Sequence, residues 1–144
     1  MRTFVLALLA LSLVAFGAGC GSDDESSGGA ATTAESSEED TSPAAAAAEI
    51  DEIKSMLDDA LAKYQGGDAE AAEELVGDAY LEHFEHVEHP LEEVDEELME
   101  DLEHTISTEI RTKMKDGAPA AEVEQLIDQT KADLDRAKSK LQGA

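Results

Sequence analysis

From residue 44 onward, apolar side chains recur at steps of three and four, the spacing that keeps them on one face of an α-helix. The first run carries Ile50, Ile53, Met56, Leu57, Ala60, Leu61 and Tyr64 and stops at Gly66-Gly67, a pair suited to a helix C-terminus. Asp68 then caps a second helix with Ala72, Val76, Ala79, Tyr80, Phe84 and Val87 on one face, and Pro90 breaks that run. A third helix starts at the cap Asp95, buries Leu98, Met99, Leu102, Ile106, Ile110 and Met114, and ends at Gly117. The fourth begins at Pro119, and its Val123, Ile127, Thr130, Leu134, Ala137 and Leu141 alternate steps of four and three. No strand pattern competes. Short connections make sequence neighbours antiparallel, so the expected fold is all-α, an antiparallel up-down four-helix bundle over residues 44–144.

The residues before this domain read differently. Arg2, an apolar stretch from Phe4 to Phe16 and then Gly17-Ala18-Gly19-Cys20 form a secretory signal over residues 1–19. About 13 apolar residues are too few to cross roughly 30 Å of hydrocarbon. Ala18 and Gly19 directly before Cys20 resemble a bacterial lipobox, in which cleavage precedes the Cys and its thiol carries a diacylglyceryl group; Gly17 stands where that pattern usually has Leu. The competing reading is an ordinary signal with an incidental Cys, but Cys20 sits at the cleavage point and the chain has no second Cys to pair with. Lipidation at Cys20 places the mature protein outside the cytoplasmic membrane, anchored by acyl chains. Residues 20–43, rich in Ser, Gly, Ala, Glu and Asp, form a disordered acidic tether, because nothing in them offsets the entropy of ordering.

Composition narrows the function. The 144 residues hold 35 Asp+Glu against 10 Lys+Arg, a formal charge of −25. Such a chain repels phosphate backbones, which excludes nucleic acid and leaves cations or a basic protein as natural partners. The charge is also uneven. No Lys or Arg occurs between Tyr64 and Ile110, and all four His (His83, His86, His89, His104) fall in that window. An acidic solvated surface of a very soluble secreted protein gives the same acidity.

The histidines change the picture, since imidazole ligates iron, zinc, copper and nickel whereas bare carboxylates suit calcium and magnesium. At helical spacing His83 faces His86, His86 faces His89, Glu82 faces His86 and Glu85 faces His89, and each pair is a candidate chelate. On a helical wheel His83 and Glu88 flank the apolar face, while Glu82, Glu85, His86 and His89 point outward. Glu103 flanks the core of the third helix and His104 points outward. These positions describe a rim or surface patch; solvated histidines with no ligand fit the same spacing. Enzyme signatures are missing. There is no His-Glu-x-x-His, the nearest match to the Glu-x-x-His of di-iron bundles is Asp101-x-x-His104, and no Gly-x-Ser-x-Gly occurs.

At Gly67-Asp68, then Ala79-Tyr80-Leu81-x-x-Phe84-Glu85-x-Val87-Glu88-x-x-Leu91, the chain resembles the extracytoplasmic helical domain joined to some bacterial high-affinity iron permeases of the oxidase-dependent iron transporter family. The similarity continues through Asp95, Leu102-Glu103, Gly117, Val123, Leu134, Ala137 and Leu141. It implies a four-helix extracytoplasmic module associated with iron uptake, with Glu85, Glu88 and Glu103 as acidic metal contacts. Where that pattern tends to have Gly and Pro, this chain has His83, His86 and His89. It also lacks the intramembrane Arg-Glu-x-x-Glu and a transmembrane helix, so it does not itself transport. The expected function is a non-enzymatic, membrane-anchored lipoprotein that binds iron or another metal cation for uptake or buffering through Glu82, His83, Glu85, His86, Glu88, His89 and Glu103, alongside a permease or another basic envelope protein. A cell-envelope interaction bundle with an acidic docking face is the main alternative, and a copper or nickel buffer a third.

Overall fold

In a computed structural model of the chain, residues 42–144 are described. The expected signal sequence, Cys20 and all but the last two residues of the expected tether lie outside them. The described residues are all-helical, with no strand among them. In chain order they form α1 (Pro43–Gln65), α2 (Ala69–Asp78), a π-helical turn (Ala79–Phe84), α3 (Glu85–His104), a second π-helical turn (Thr105–Glu109), α4 (Ile110–Lys115) and α5 (Ala120–Leu141). Among these residues no helix is long and apolar enough to cross a membrane.

Each boundary has a local cause. The Ser42 hydroxyl accepts from the Ala45 N–H at 3.2 Å, and Pro43 occupies the first helical position, where its missing N–H is harmless. The helix therefore takes in Pro43, which the composition assigns to the tether. α1 ends with the Gly67 N–H on the Tyr64 carbonyl and the Asp68 N–H on the Lys63 carbonyl, a closure that needs the left-handed φ of +90° at Gly67. Gly117 (φ +70°) closes α4 the same way. Asp68 caps α2 through the Ala71 N–H at 3.1 Å, and Pro119 stands just outside α5 as its cap residue. The Tyr64 hydroxyl donates to the Ala118 carbonyl at 2.6 Å, tying these two turns together.

Pro90 does not break its helix. It lies inside α3 with its ring buried beside Leu91, and the chain leaves helical geometry only at Asp95 (φ −163°, ψ 82°). There the Asp95 carboxylate accepts from the Leu98 N–H at 3.3 Å and meets Lys140 at 2.9 Å. Asp95 thus caps the following segment as its sequence position predicts, while the break expected at Pro90 falls five residues later. Burial of the ring on the core offsets the one backbone hydrogen bond that proline removes.

One apolar cluster holds the elements together. Ile50, Ile53 and Leu57 of α1 meet Val76, Phe84, Val87, Leu91, Leu102, Ile106, Ile110, Met114, Val123, Ile127 and Leu134, nearly all fully buried. Each such side chain stabilises the fold by about 1.5–3 kcal/mol relative to exposure. Thr130, the buried polar residue of this core, returns its hydroxyl to the Leu126 carbonyl at 2.8 Å. α1 packs on α2, α3, α5 and the first π turn, α3 on α5, and α2 on α4. Along the α1–α5 seam Asp51 pairs with Lys138 at 2.5 Å, Lys54 with Asp135, and Asp58 with Lys131 at 2.5 Å, so these two helices run antiparallel.

Candidate functional site

The two π turns mark where helix geometry departs from the ordinary. An i→i+5 bond admits one extra residue to the turn, and such insertions are frequent at functional sites. The burial pattern explains their position. Along α5 the buried residues Val123, Ile127, Thr130, Leu134, Ala137 and Leu141 alternate steps of four and three, close to the α repeat. From Ala79 to Phe84 the buried step is five, and Leu98, Leu102, Ile106, Ile110 and Met114 follow in uniform fours. An α-helix drifts by about 40° at each step of four. A π turn in each run returns the apolar residues to the core, and the two turns contact each other.

Beside these turns Tyr80, Glu85, Glu88 and Glu103 come together. The Tyr80 hydroxyl lies near the Glu88 carboxylate, and Glu85 and Glu103 act on both groups through their charge. Burial pushes the Tyr80 phenol up to about 12, and the neighbouring Glu88 carboxylate adds to it. Burial also raises Glu88 above the ordinary carboxylate range; the negative charges of Glu103 and Glu85 raise it further, and the neighbouring Tyr80 hydroxyl opposes them. One oxygen, Glu88 Oε1, is buried with no hydrogen-bond partner. A buried carboxylate oxygen that nothing satisfies is costly unless a cation or donor meets it.

The remaining residues singled out in the sequence are distributed more widely. His83 is half-buried as expected of a flanking position, but its Nδ1 stands 2.7 Å from Glu49 Oε2, which bridges the first π turn to α1. His89 is 69% exposed and lies 3.9 Å from both Glu92 and Glu93 on its own helix. Glu82 and Glu85 are exposed and His86 is half-buried. Glu103 is half-buried and His104 exposed, as the wheel places them. Among the described residues no three His, Cys, Asp or Glu side chains stand together at metal-holding spacing.

Glu85, Glu88 and Glu103, the three carboxylates implied by the family resemblance, share a neighbourhood, while His83 turns to Glu49 and His89 to Glu92 and Glu93. The polar roles of two residues carry no signal in the spacing. Tyr80 was placed on the apolar face, where its ring does pack, but its hydroxyl is a polar handle that needs a partner when buried. Glu49 belongs to a helix 34 residues away, and no local pattern points from it to His83.

The donors of the cluster are all oxygens, the kind that hard cations take, and one of them, Glu88 Oε1, has no hydrogen-bond partner. No protein-family model, curated protein or solved structure matches the chain.

Proposed function

We propose that this chain is a non-enzymatic, lipid-anchored extracytoplasmic protein, built as an antiparallel up-down four-helix bundle, that binds a metal cation for uptake or buffering. Glu88 is the central ligand, Glu85 and Glu103 complete the acidic set, and iron is the cation the family resemblance implies. The observation that carries this reading is Glu88 Oε1, buried and unpartnered beside two more carboxylates. A cation there relieves both the repulsion and the unmet oxygen. Glu82, His83, His86 and His89 form an outer approach to the site, from which metal passes to a membrane permease or another basic envelope partner.

The test is calorimetric titration of the whole chain with ferrous, ferric-citrate, zinc, copper and calcium ions. It is repeated on Glu88→Gln and on a His83/His86/His89→Ala triple variant. Tight binding that Glu88→Gln removes and the triple variant keeps is the expected result. Binding that follows the histidines instead moves the site to the outer patch and favours copper or nickel. Weak binding of every cation, indifferent to both changes, refutes a metal site.

One observation favours the docking alternative. α3 carries ten acidic residues and no Lys or Arg, whereas the lysines of α5 close onto α1 and Asp95. The α3 face is thus left strongly negative, which suits a basic partner. Binding of that partner weakens with salt, while chelation responds chiefly to pH and chelators.

A further inference from the structure

The breaks that separate the helical runs are built differently. Those after α1 and α4 turn on Gly67 and Gly117 at positive φ, a conformation that L side chains avoid. The break between them is a single residue. Apart from Asp95, residues 69–115 are helical throughout, yet the chain folds back there: the Arg111 guanidinium lies over Gly77 and reaches Glu73 at 3.4 Å, and the two π turns meet. Asp95 (φ −163°, ψ 82°) is extended, a conformation open to any residue, and the stretch Glu92-Glu93-Val94-Asp95-Glu96-Glu97 contains neither Gly nor Pro. Glutamate is a good helix former, and Val and Asp are only mildly unfavourable. The local sequence therefore permits one continuous helix where the structure has a hairpin.

Two contacts hold the hairpin closed. The Asp95 carboxylate accepts from the Leu98 N–H at 3.3 Å, capping the second half, and meets Lys140 of α5 at 2.9 Å. Like charge adds to them, because straightening sets Glu92 beside Glu96 and Glu93 beside Glu97 at helical i,i+4 spacing. With Asp95 helical, residues 69–115 become one rod about 70 Å long at ~1.5 Å per residue. Its halves, Val76, Phe84 and Val87 on one and Leu102, Ile106 and Ile110 on the other, then no longer meet within one chain. A second copy opened in the same way presents the complement of each half, and exchange rebuilds the same core twice with only the hinge changed. We propose that Asp95 is a hinge, latched by its cap on Leu98 and by Lys140, on which two copies of this chain exchange halves to form a swapped dimer.

The test reads which chain each half belongs to. Whole chains, unlabelled and 15N-labelled, are refolded together in equal amounts, and a carbodiimide then couples lysines to the carboxylates they contact. α1 and α5 lie on opposite sides of the hinge in sequence, so the seam pairs Asp58–Lys131 and Asp51–Lys138 join residues of one chain in the closed form and of two chains after exchange. Mass spectrometry separates the two by isotope. Wild type is expected to give few mixed-isotope seam links. Asp95→Ala removes one cap and one ion pair per chain, about tenfold, and the swapped dimer has two hinges, so it forms about a hundredfold more readily. Lys140→Ala removes the ion pair alone and gives a smaller, severalfold rise. Lengthening the hinge with Gly-Ser-Gly-Ser after Asp95→Ala returns the links to one chain. If Asp95→Ala folds, by far-UV circular dichroism, and its mixed links stay at the wild-type level, the hinge is overturned. A dimer whose seam links all stay within one isotope overturns it too, because its halves are not exchanged. If Asp95→Ala does not fold, Lys140→Ala decides, and no rise in mixed links there overturns the latch and the hinge together.

Discussion

Deleting Leu81 tests whether the first π turn is an inserted residue. Helix-interior deletions ordinarily destroy packing, because everything on one side of the gap rotates by about 100°. Here the reverse holds. From Ala79 to Phe84 five α steps span about 500°, leaving the two roughly 140° apart, whereas four span about 400° and leave them about 40° apart on the core side. Without Leu81 an ordinary α-helix therefore keeps Ala72, Val76, Ala79, Phe84, Val87 and Leu91 buried, and these are the residues the π turn buries now. Leu81 is 59% exposed, so its removal forfeits about 1 kcal/mol of partial burial, and restoring the i→i+4 ladder returns a similar amount. The net change is within about 1 kcal/mol. The control is deletion of Asp128, also exposed but in the straight helix α5, which swings Val123 and Ile127 out of the core. That loses about 3–6 kcal/mol, equivalent to a Tm drop of roughly 15 °C or more for a domain of this size. Thermal unfolding followed by far-UV circular dichroism separates the two outcomes. Equal destabilisation by the two deletions refutes the insertion argument.

Glu88→Gln should raise Tm at neutral pH by a few degrees, because it removes a buried charge that Glu85 and Glu103 repel. Glu88 is raised in the folded state, so its protonated form is favoured by folding; the advantage of the glutamine variant is greatest at neutral pH and shrinks as pH falls through the raised value, which a Tm–pH series reads directly. Asp51 and Asp95 show the opposite sign. Hydrogen bonds from Lys138 and Lys140 hold them below the ordinary aspartate range, so their stabilisation persists above about pH 4 and is lost as pH falls through the lowered values. Lys138→Ala with Lys140→Ala should flatten that acid limb of the Tm curve. Gly67→Ala should destabilise by about 1 kcal/mol in denaturant unfolding, since φ +90° is a conformation that L side chains avoid even though nothing crowds the added methyl.

Much of the fold is legible in the spacing of apolar residues. In α1 and α5, steps of three and four describe helices that the structure leaves unbroken, and Asp68, Asp95, Gly67 and Gly117 do locally what their chemistry dictates. The π turns were present in the sequence as a five-residue step at Ala79–Phe84 and as the uniform fours from Leu98 to Met114, but a wheel drawn at a fixed angle hides both. Pro90 misleads because burial of its ring is a tertiary effect that local propensity does not contain. At the candidate site, helical spacing singles out Glu85 and Glu88 and the wheel puts Glu103 on the flank of the next helix, whereas the nearness of Tyr80 to Glu88 depends on the turn that lies between them. His83 meets Glu49 only because α1 folds back alongside, information that no window of the sequence holds.

The charge order along the α1–α5 seam does more than join two helices. It reads acid, base, acid on α1 against base, acid, base on α5, through Asp51, Lys54 and Asp58 opposite Lys138, Asp135 and Lys131. Solvent-facing pairs of this kind each contribute little to stability. Slide α5 by one turn in either direction, however, and the seam turns repulsive: Lys54 comes opposite Lys131 or Lys138, and Asp51 or Asp58 opposite Asp135. Apolar contacts of similar size tolerate such a slip, whereas like charges do not. The seam therefore works as a vernier that selects one alignment and penalises its neighbours, holding α5 in the position from which Lys140 reaches Asp95.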